Sequence, residues 1–286
     1  MGAPLRNALL LAAAALVGCG VFACDDAPKL EEPRHAASAD APAPVALPSP
    51  AADAGTVVPV RTDERKAQDG ADVPTPTPED RWMTSEPYDV DFRGSRLRGL
   101  RIGKPGGREV LLLHGGRFSS RTWLELGTLE FLAKHGCRAM AIDLPGFGKS
   151  QETQVREEEL LFALLPFLDL KKPVVVFPSM SGAYAFPFAI AHPEMVAGLV
   201  PIAPVGIDDH AAKLKGLELP ALILWGEKDV VIPISKAETL HQLLPNSRKI
   251  VIPGASHACY QDEPQQFHAA LLRFLESLDA PASGRK

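Results

Sequence analysis

Residues 173–184 read PVVVFPSMSGAY. Val174 to Phe177 form an uninterrupted apolar run of the kind found in a strand covered on both faces. It runs into two serines, a glycine and then helix-forming residues. Leucine or valine would have extended a core, so the serines need a reason. A serine at a strand-to-helix turn can expose its hydroxyl as a nucleophile. It can also do no more than cap the helix that follows. The choice depends on what the rest of the chain places nearby.

The same alternation continues on both sides. EVLLLHGG (109–116), CRAMAIDL (137–144), PVVVFPS (173–179), AGLVPIAPV (197–205), LPALILWG (219–226) and SRKIVIPG (247–254) read as six strands. Helical spacing fills the gaps: 119–136 with Trp123, Leu126, Leu129 and Leu132 in phase, 157–170 with a break at Pro166, then 181–193, 234–244 and 263–278. Strands alternating with helices predict right-handed parallel crossovers and a doubly wound sheet with helices on both faces. SEPYDVDF and RLRGLRIG, turning at Arg93-Gly94-Ser95, predict an antiparallel entry hairpin. Fifteen residues separate Val205 from Ala221. That is room for one short helix, DDHAAKLKGL, so little or no lid is expected over the strand ends.

The N-terminal part reads differently. MGAPLRNALLLAAAALVGCG places Arg6 before an apolar run from Ala8 to Gly18. Eleven residues are too few to cross a bilayer core, which needs about 20, but they suit the hydrophobic region of a signal peptide. Leu16-Val17-Gly18-Cys19 resembles a bacterial lipobox, so residues 1–18 are expected to be removed and Cys19 lipidated. This predicts an exported envelope lipoprotein, held to a membrane by its anchor. From Ala23 to Arg81 there is no Phe, Trp or Tyr, and ten of the 27 prolines fall between Pro28 and Pro78. Such a segment buries too little apolar surface to offset its ordering entropy. Residues 19–81 are therefore read as a disordered linker, 82–280 as the folded domain and 281–286 as a tail. The net charge of −5 comes with no basic stripe, which argues against nucleic acid as a partner.

In an open α/β sheet the chemistry gathers beyond the carboxyl ends of the strands. There the chain offers His114-Gly115-Gly116-Arg117, Asp143, Ser179-Met180-Ser181-Gly182, Asp229 and His257. Serine, acid and histidine follow one another in the chain order of the α/β-hydrolase triad. Ser181 is taken as the nucleophile because Gly182 follows it and can offer an N–H to an oxyanion; Ser179 is the rival. Asp229 is the expected acid, with Glu227 as the alternative, and His257 the base. The second oxyanion donor is expected from the loop at Gly116 or Arg117. His114 reads as a packing residue of that loop. Cys137 and Cys259 fall at opposite ends of the sheet, too far apart for a bridge, which needs Cα atoms within about 7 Å. Cys259 lacks an elbow and so is not expected to be a nucleophile. No histidine pair at ligand spacing suggests a metal, and no cofactor is expected.

Several segments are more specific than the triad. HGGRFSSRTWLELGTLEFLAKHGCRAMAIDLPGFGKS, PSMSGAY, GEKD and PGASHACYQDEP resemble the alpha/beta-hydrolase domain-containing protein 14 family. The likeness includes Arg117-Phe118-Ser119-Ser120 after the HG, the S-x-S-G elbow and Cys259-Tyr260 after the histidine. It runs from about Val110 to the last helix. It implies an α/β-hydrolase fold and a nearly lidless serine hydrolase acting on small acyl esters or amides. It puts the nucleophile on Ser181, the acid on Asp229 and the base on His257. Some members are described as passing acetyl groups from lysine to coenzyme A. An exported protein would meet little coenzyme A, so hydrolysis is the expectation and coenzyme A an alternative acceptor. A non-catalytic binding module on the same scaffold is the competing reading, and a complete Ser/Asp/His set speaks against it.

Overall fold

Val110 and Leu112 of one strand pack on one side of the sheet, Leu111 and Leu113 on the other. The same two-residue alternation separates Val174 and Val176 from Val175 and Phe177, and Leu222 and Leu224 from Ile223 and Trp225. Each strand thus feeds two cores, which is why its sequence is apolar throughout and not alternating. A computed structural model of the chain describes residues 80–279. The expected signal peptide, Cys19, all but the last two residues of the linker, and the C-terminal tail lie outside the described residues.

Eight strands form one sheet: β1 (Glu86–Phe92), β2 (Ser95–Ile102), β3 (Arg108–Leu112), β4 (Cys137–Ile142), β5 (Val174–Pro178), β6 (Gly198–Ile202), β7 (Ala221–Gly226) and β8 (Ser247–Ile252). Their order is β1-β2-β4-β3-β5-β6-β7-β8. The pairs β1/β2 and β2/β4 are antiparallel and the others parallel. The expected entry hairpin is therefore part of the main sheet. Its turn is tighter than expected: Arg93 and Gly94 both have positive φ (53° and 83°), the two-residue geometry that matches strand twist.

Helices α1 (Ser120–Glu125), α2 (Thr128–Lys134), α7 (Cys259–Asp262) and α8 (Pro264–Asp279) supply Trp123, Leu129, Tyr260 and Phe267 to one core. The other core receives Leu161 from α3 (Glu157–Leu164), Phe188 from α4 (Gly182–Ala191), Leu214 from α5 (Ile207–Leu214) and Leu240 from α6 (Ser235–Leu243). The single helix expected over 119–136 is two, because Gly127 takes a left-handed φ of 68° between α1 and α2. α7 carries no periodic signal of its own at four residues. Between β6 and β7 stands α5 alone, as the spacing predicted, so among the described residues this connection carries no larger lid.

Candidate active site

β5 ends at Pro178, and the next residue, Ser179, has a φ of +49°. A β-carbon-bearing residue takes that conformation at a cost of about 1–3 kcal/mol, and here the surroundings enforce it. The Ser179 carbonyl accepts the N–H of Gly182 in a 3-10 turn, and also the N–H of Val205 from the loop after β6, at 3.0 Å. The bend turns the Ser179 hydroxyl out of the strand line and toward His257.

His257 Nε2 lies 2.9 Å from Ser179 Oγ, and His257 Nδ1 lies 2.8 Å from Asp229 Oδ2. A carboxylate only accepts, so Nδ1 carries the ring proton of the neutral imidazole and Nε2 is left to accept from the serine. Asp229 is itself fixed. Its Oδ1 accepts the N–H groups of Val231 at 2.8 Å and Ile232 at 3.0 Å, and its side chain is fully buried while that of His257 is 21% exposed. Trp225 Nε1 donates to the Ile232 carbonyl and closes this turn onto the end of β7.

The histidine loop is held just as closely. A β-carbon on Gly226 would stand 1.9 Å from the Ser256 carbonyl oxygen and 2.5 Å from that of Ala255. Only glycine lets the loop lie against the end of β7. Lys228 N–H donates to the Ala255 carbonyl, Ser256 N–H to Asp262 Oδ2, and Tyr260 of α7 stacks on Trp123 at 4.9 Å. Trp123 Nε1 donates to the Leu113 carbonyl at the root of the β3 loop. One indole therefore supports both sides of the site.

The structure corrects the choice between the two serines. Ser181 is fully buried and its hydroxyl donates back to the Pro178 carbonyl at 2.7 Å. It does not meet His257; Ser179 does. The expected donor Gly182 is corrected with it, because its N–H is spent inside the turn. A β-carbon there would come within 2.3 Å of the Val205 carbonyl, so Gly182 serves close packing against the β6 loop. The N–H that follows Ser179 belongs to Met180, which is not among the donors expected from the sequence. The rule that the donor follows the nucleophile finds it once Ser179 is chosen.

The β3 loop lies where it was expected. A β-carbon on Gly115 would be 3.7 Å from Ser179 Cβ, and one on Gly116 3.4 Å from Met180 Sδ, so this loop passes directly beside the serine turn. Arg117 is exposed on it. His114 is a packing residue, as read: its Nδ1 donates to the Gly115 carbonyl at 2.9 Å and its Nε2 accepts the N–H of Leu144 at 3.0 Å. Burial holds its imidazole below the usual histidine range, in the neutral form both bonds require. The alternative acid Glu227 does not touch His257; it accepts the N–H of Gly254. Asp143 accepts the N–H groups of Ser120 and Lys149 and organises the β4 loop. Cys137 and Cys259 are both free, and burial pushes the Cys259 thiol up to about 12, which disfavours its thiolate. Among the described residues no His/Cys/Asp/Glu group is arranged to hold a metal.

Comparison with known proteins agrees with this architecture. Residues 110–206 match the model of the alpha/beta hydrolase family, and residues 199–286 match the model described as TAP-like protein. The chain is 42% identical over 192 residues to the putative protein-lysine deacylase ABHD14B of Pongo abelii, covering 63% of this chain and 90% of that protein. The protein belongs to the ABHD14 family of alpha/beta hydrolases. It is a hydrolase. ABHD14A of Danio rerio is 44% identical over 177 residues, covering 60% of this chain and 65% of that protein. Among solved structures, a CIB-like hydrolase from Thermoplasma acidophilum shares the fold with a TM-score of 0.66 at 24% identity, covering 68% of this chain and 99% of that one.

Proposed function

We propose that this ABHD14-family protein is a serine hydrolase in which Ser179 is the nucleophile, His257 the general base and Asp229 the residue that orients the imidazole. The observation carrying this reading is the continuous relay from a positive-φ serine through 2.9 Å to His257 and 2.8 Å to Asp229. His257 Nε2 takes the proton as Ser179 Oγ attacks the acyl carbon, and Asp229 stabilises the imidazolium that forms. The developing oxyanion is held by the Met180 N–H and a second N–H from Gly116 or Arg117. A donor of this kind is worth about 2.7–4 kcal/mol in the transition state. His257 then returns the proton to the leaving oxygen or nitrogen. Water, activated by the same histidine, releases the acid from the acyl-enzyme.

The substrates of this reading are small acyl esters or amides. The name of the ABHD14B relatives adds Nε-acyl-lysine as an amide of this class. Turnover of p-nitrophenyl acetate and of an acetyl-lysine peptide by wild type and by Ser179→Ala tests the reading. Loss of both activities in the variant is the expected result; retained turnover refutes the assignment. The proposed location, an envelope lipoprotein anchored at Cys19, has a separate test. Cys19→Ala should move the protein out of the membrane fraction, and a protein still processed and membrane-bound would refute the anchor.

A further inference from the structure

Among the described residues, seven large apolar side chains stand exposed, and four of them lie on the two loops next to Ser179 and Asp229. Val205 is 38% exposed, Val230 94%, Val231 63% and Ile234 40%. Single exposed valines need no explanation. Here four stand on the loops that bond to Ser179 and Asp229, where apolar exposure points to binding. The loops are held in place by bonds to the site itself. Val205 N–H donates to the Ser179 carbonyl, and Val231 N–H to Asp229 Oδ1. Lys236 of α6 pairs with Asp208 of α5 at 2.6 Å and ties one loop to the other. Folding alone gives no reason to leave Val230 almost wholly in water.

The direction of attack says which part of a substrate reaches these side chains. The acyl carbon bonded to Ser179 Oγ carries three other groups. Its oxygen must face the Met180 N–H and the β3 loop, on one side of β5. Its leaving group must face His257, which protonates it. The side of β5 away from β3 is free of the oxyanion loop, and there β6 delivers Val205. We infer that Val205, Val230, Val231 and Ile234 form an apolar shelf that receives the acyl chain, so that the enzyme favours acyl groups with several methylenes over acetyl. This inference rests on Ser179 as the nucleophile.

The test compares kcat/KM for p-nitrophenyl octanoate and acetate in the full chain. Each methylene shielded from water is worth roughly fourfold in binding, so wild type should prefer the octanoate. Val230→Ser/Val231→Ser should lower the octanoate-to-acetate ratio about tenfold. Phe162→Ser, which removes an exposed apolar group on α3, should keep the wild-type ratio. Val230→Ser alone, at a fully exposed position, serves if the double variant melts early, and should lower the ratio in the same direction. An unchanged ratio in folded shelf variants, with Ser179→Ala inactive, would overturn the shelf and leave the catalytic reading standing. Turnover that survives Ser179→Ala would overturn both.

Discussion

Replacing Gly226 by alanine should disable the enzyme from a position that touches no substrate. The added carbon would stand 1.9 Å from the Ser256 carbonyl oxygen, and contacts of this kind do not fall below 3.0 Å, so the loop must retreat by about 1.1 Å. His257 is the next residue. Its two bonds, 2.9 Å to Ser179 and 2.8 Å to Asp229, have no slack for such a shift. A misplacement of about 1 Å costs on the order of 100-fold in rate. The strain should also destabilise the fold by about 1–3 kcal/mol, or roughly 2–4 °C of melting temperature per kcal/mol in a domain of this size. The assay is kcat for an activated ester beside a thermal melt, with Gly226→Ala compared to wild type. Full activity in a Gly226→Ala protein that melts at the wild-type temperature would refute the reasoning, because the loop could not then be seated as described.

Asp229→Asn should keep the fold and lower kcat by about 10⁴-fold, read from ester turnover at saturating substrate. Glu227→Gln, which loses only the carboxylate's bond to Gly254 N–H, should stay within tenfold of wild type in the same assay. Cys259, buried and with its thiol pushed up to about 12, should escape iodoacetamide at pH 8 in the native protein and react after denaturation, as read by peptide mapping. His114 contributes a pH dependence with a definite sign. Its folded pKa is lowered by burial below the ordinary 6.5, so the unfolded chain binds the proton first. Its stabilising contribution is full above about pH 6.5 and is lost as the pH falls through the lower folded value. The urea midpoint should drop between pH 7.5 and 5.5, and His114→Gln should shrink that drop; His268, also lowered by burial, adds in the same direction.

The six parallel strands and most of their helices were legible because the central strands β5, β6 and β7 are buried on both faces, so apolar runs alternate with helical spacing. Asp229 and His257 were legible for the same reason: each follows a strand whose end is plain in the sequence. The serine that the structure brings to His257 is Ser179, two residues before the one the sequence favours. Gly182 beside Ser181 imitates the donor glycine of an elbow, but the elbow is a backbone conformation, and φ at Ser179 is not written in residue types. The turn needs a small residue two places after its serine, and Ser181 fills that need with its hydroxyl folded back on Pro178. The position two before it is Phe177, fully buried and edge-on to Phe186 at 5.2 Å, where a glycine pattern gave no guidance. The break at Gly127 escaped because an isolated glycine inside a helical pattern is compatible with a continuous helix. α7 escaped because its four residues are positioned by Tyr260 packing on Trp123, a contact across 137 residues of chain.

The central claim is that the reacting hydroxyl belongs to Ser179. A fluorophosphonate forms a covalent adduct on an activated serine, and tandem mass spectrometry of the modified peptide identifies which residue carries it. Wild type and Ser181→Ala should both be labelled, with the adduct on Ser179, and Ser179→Ala should not be labelled. An adduct on Ser181, or labelling that persists in Ser179→Ala and disappears in Ser181→Ala, would contradict the account.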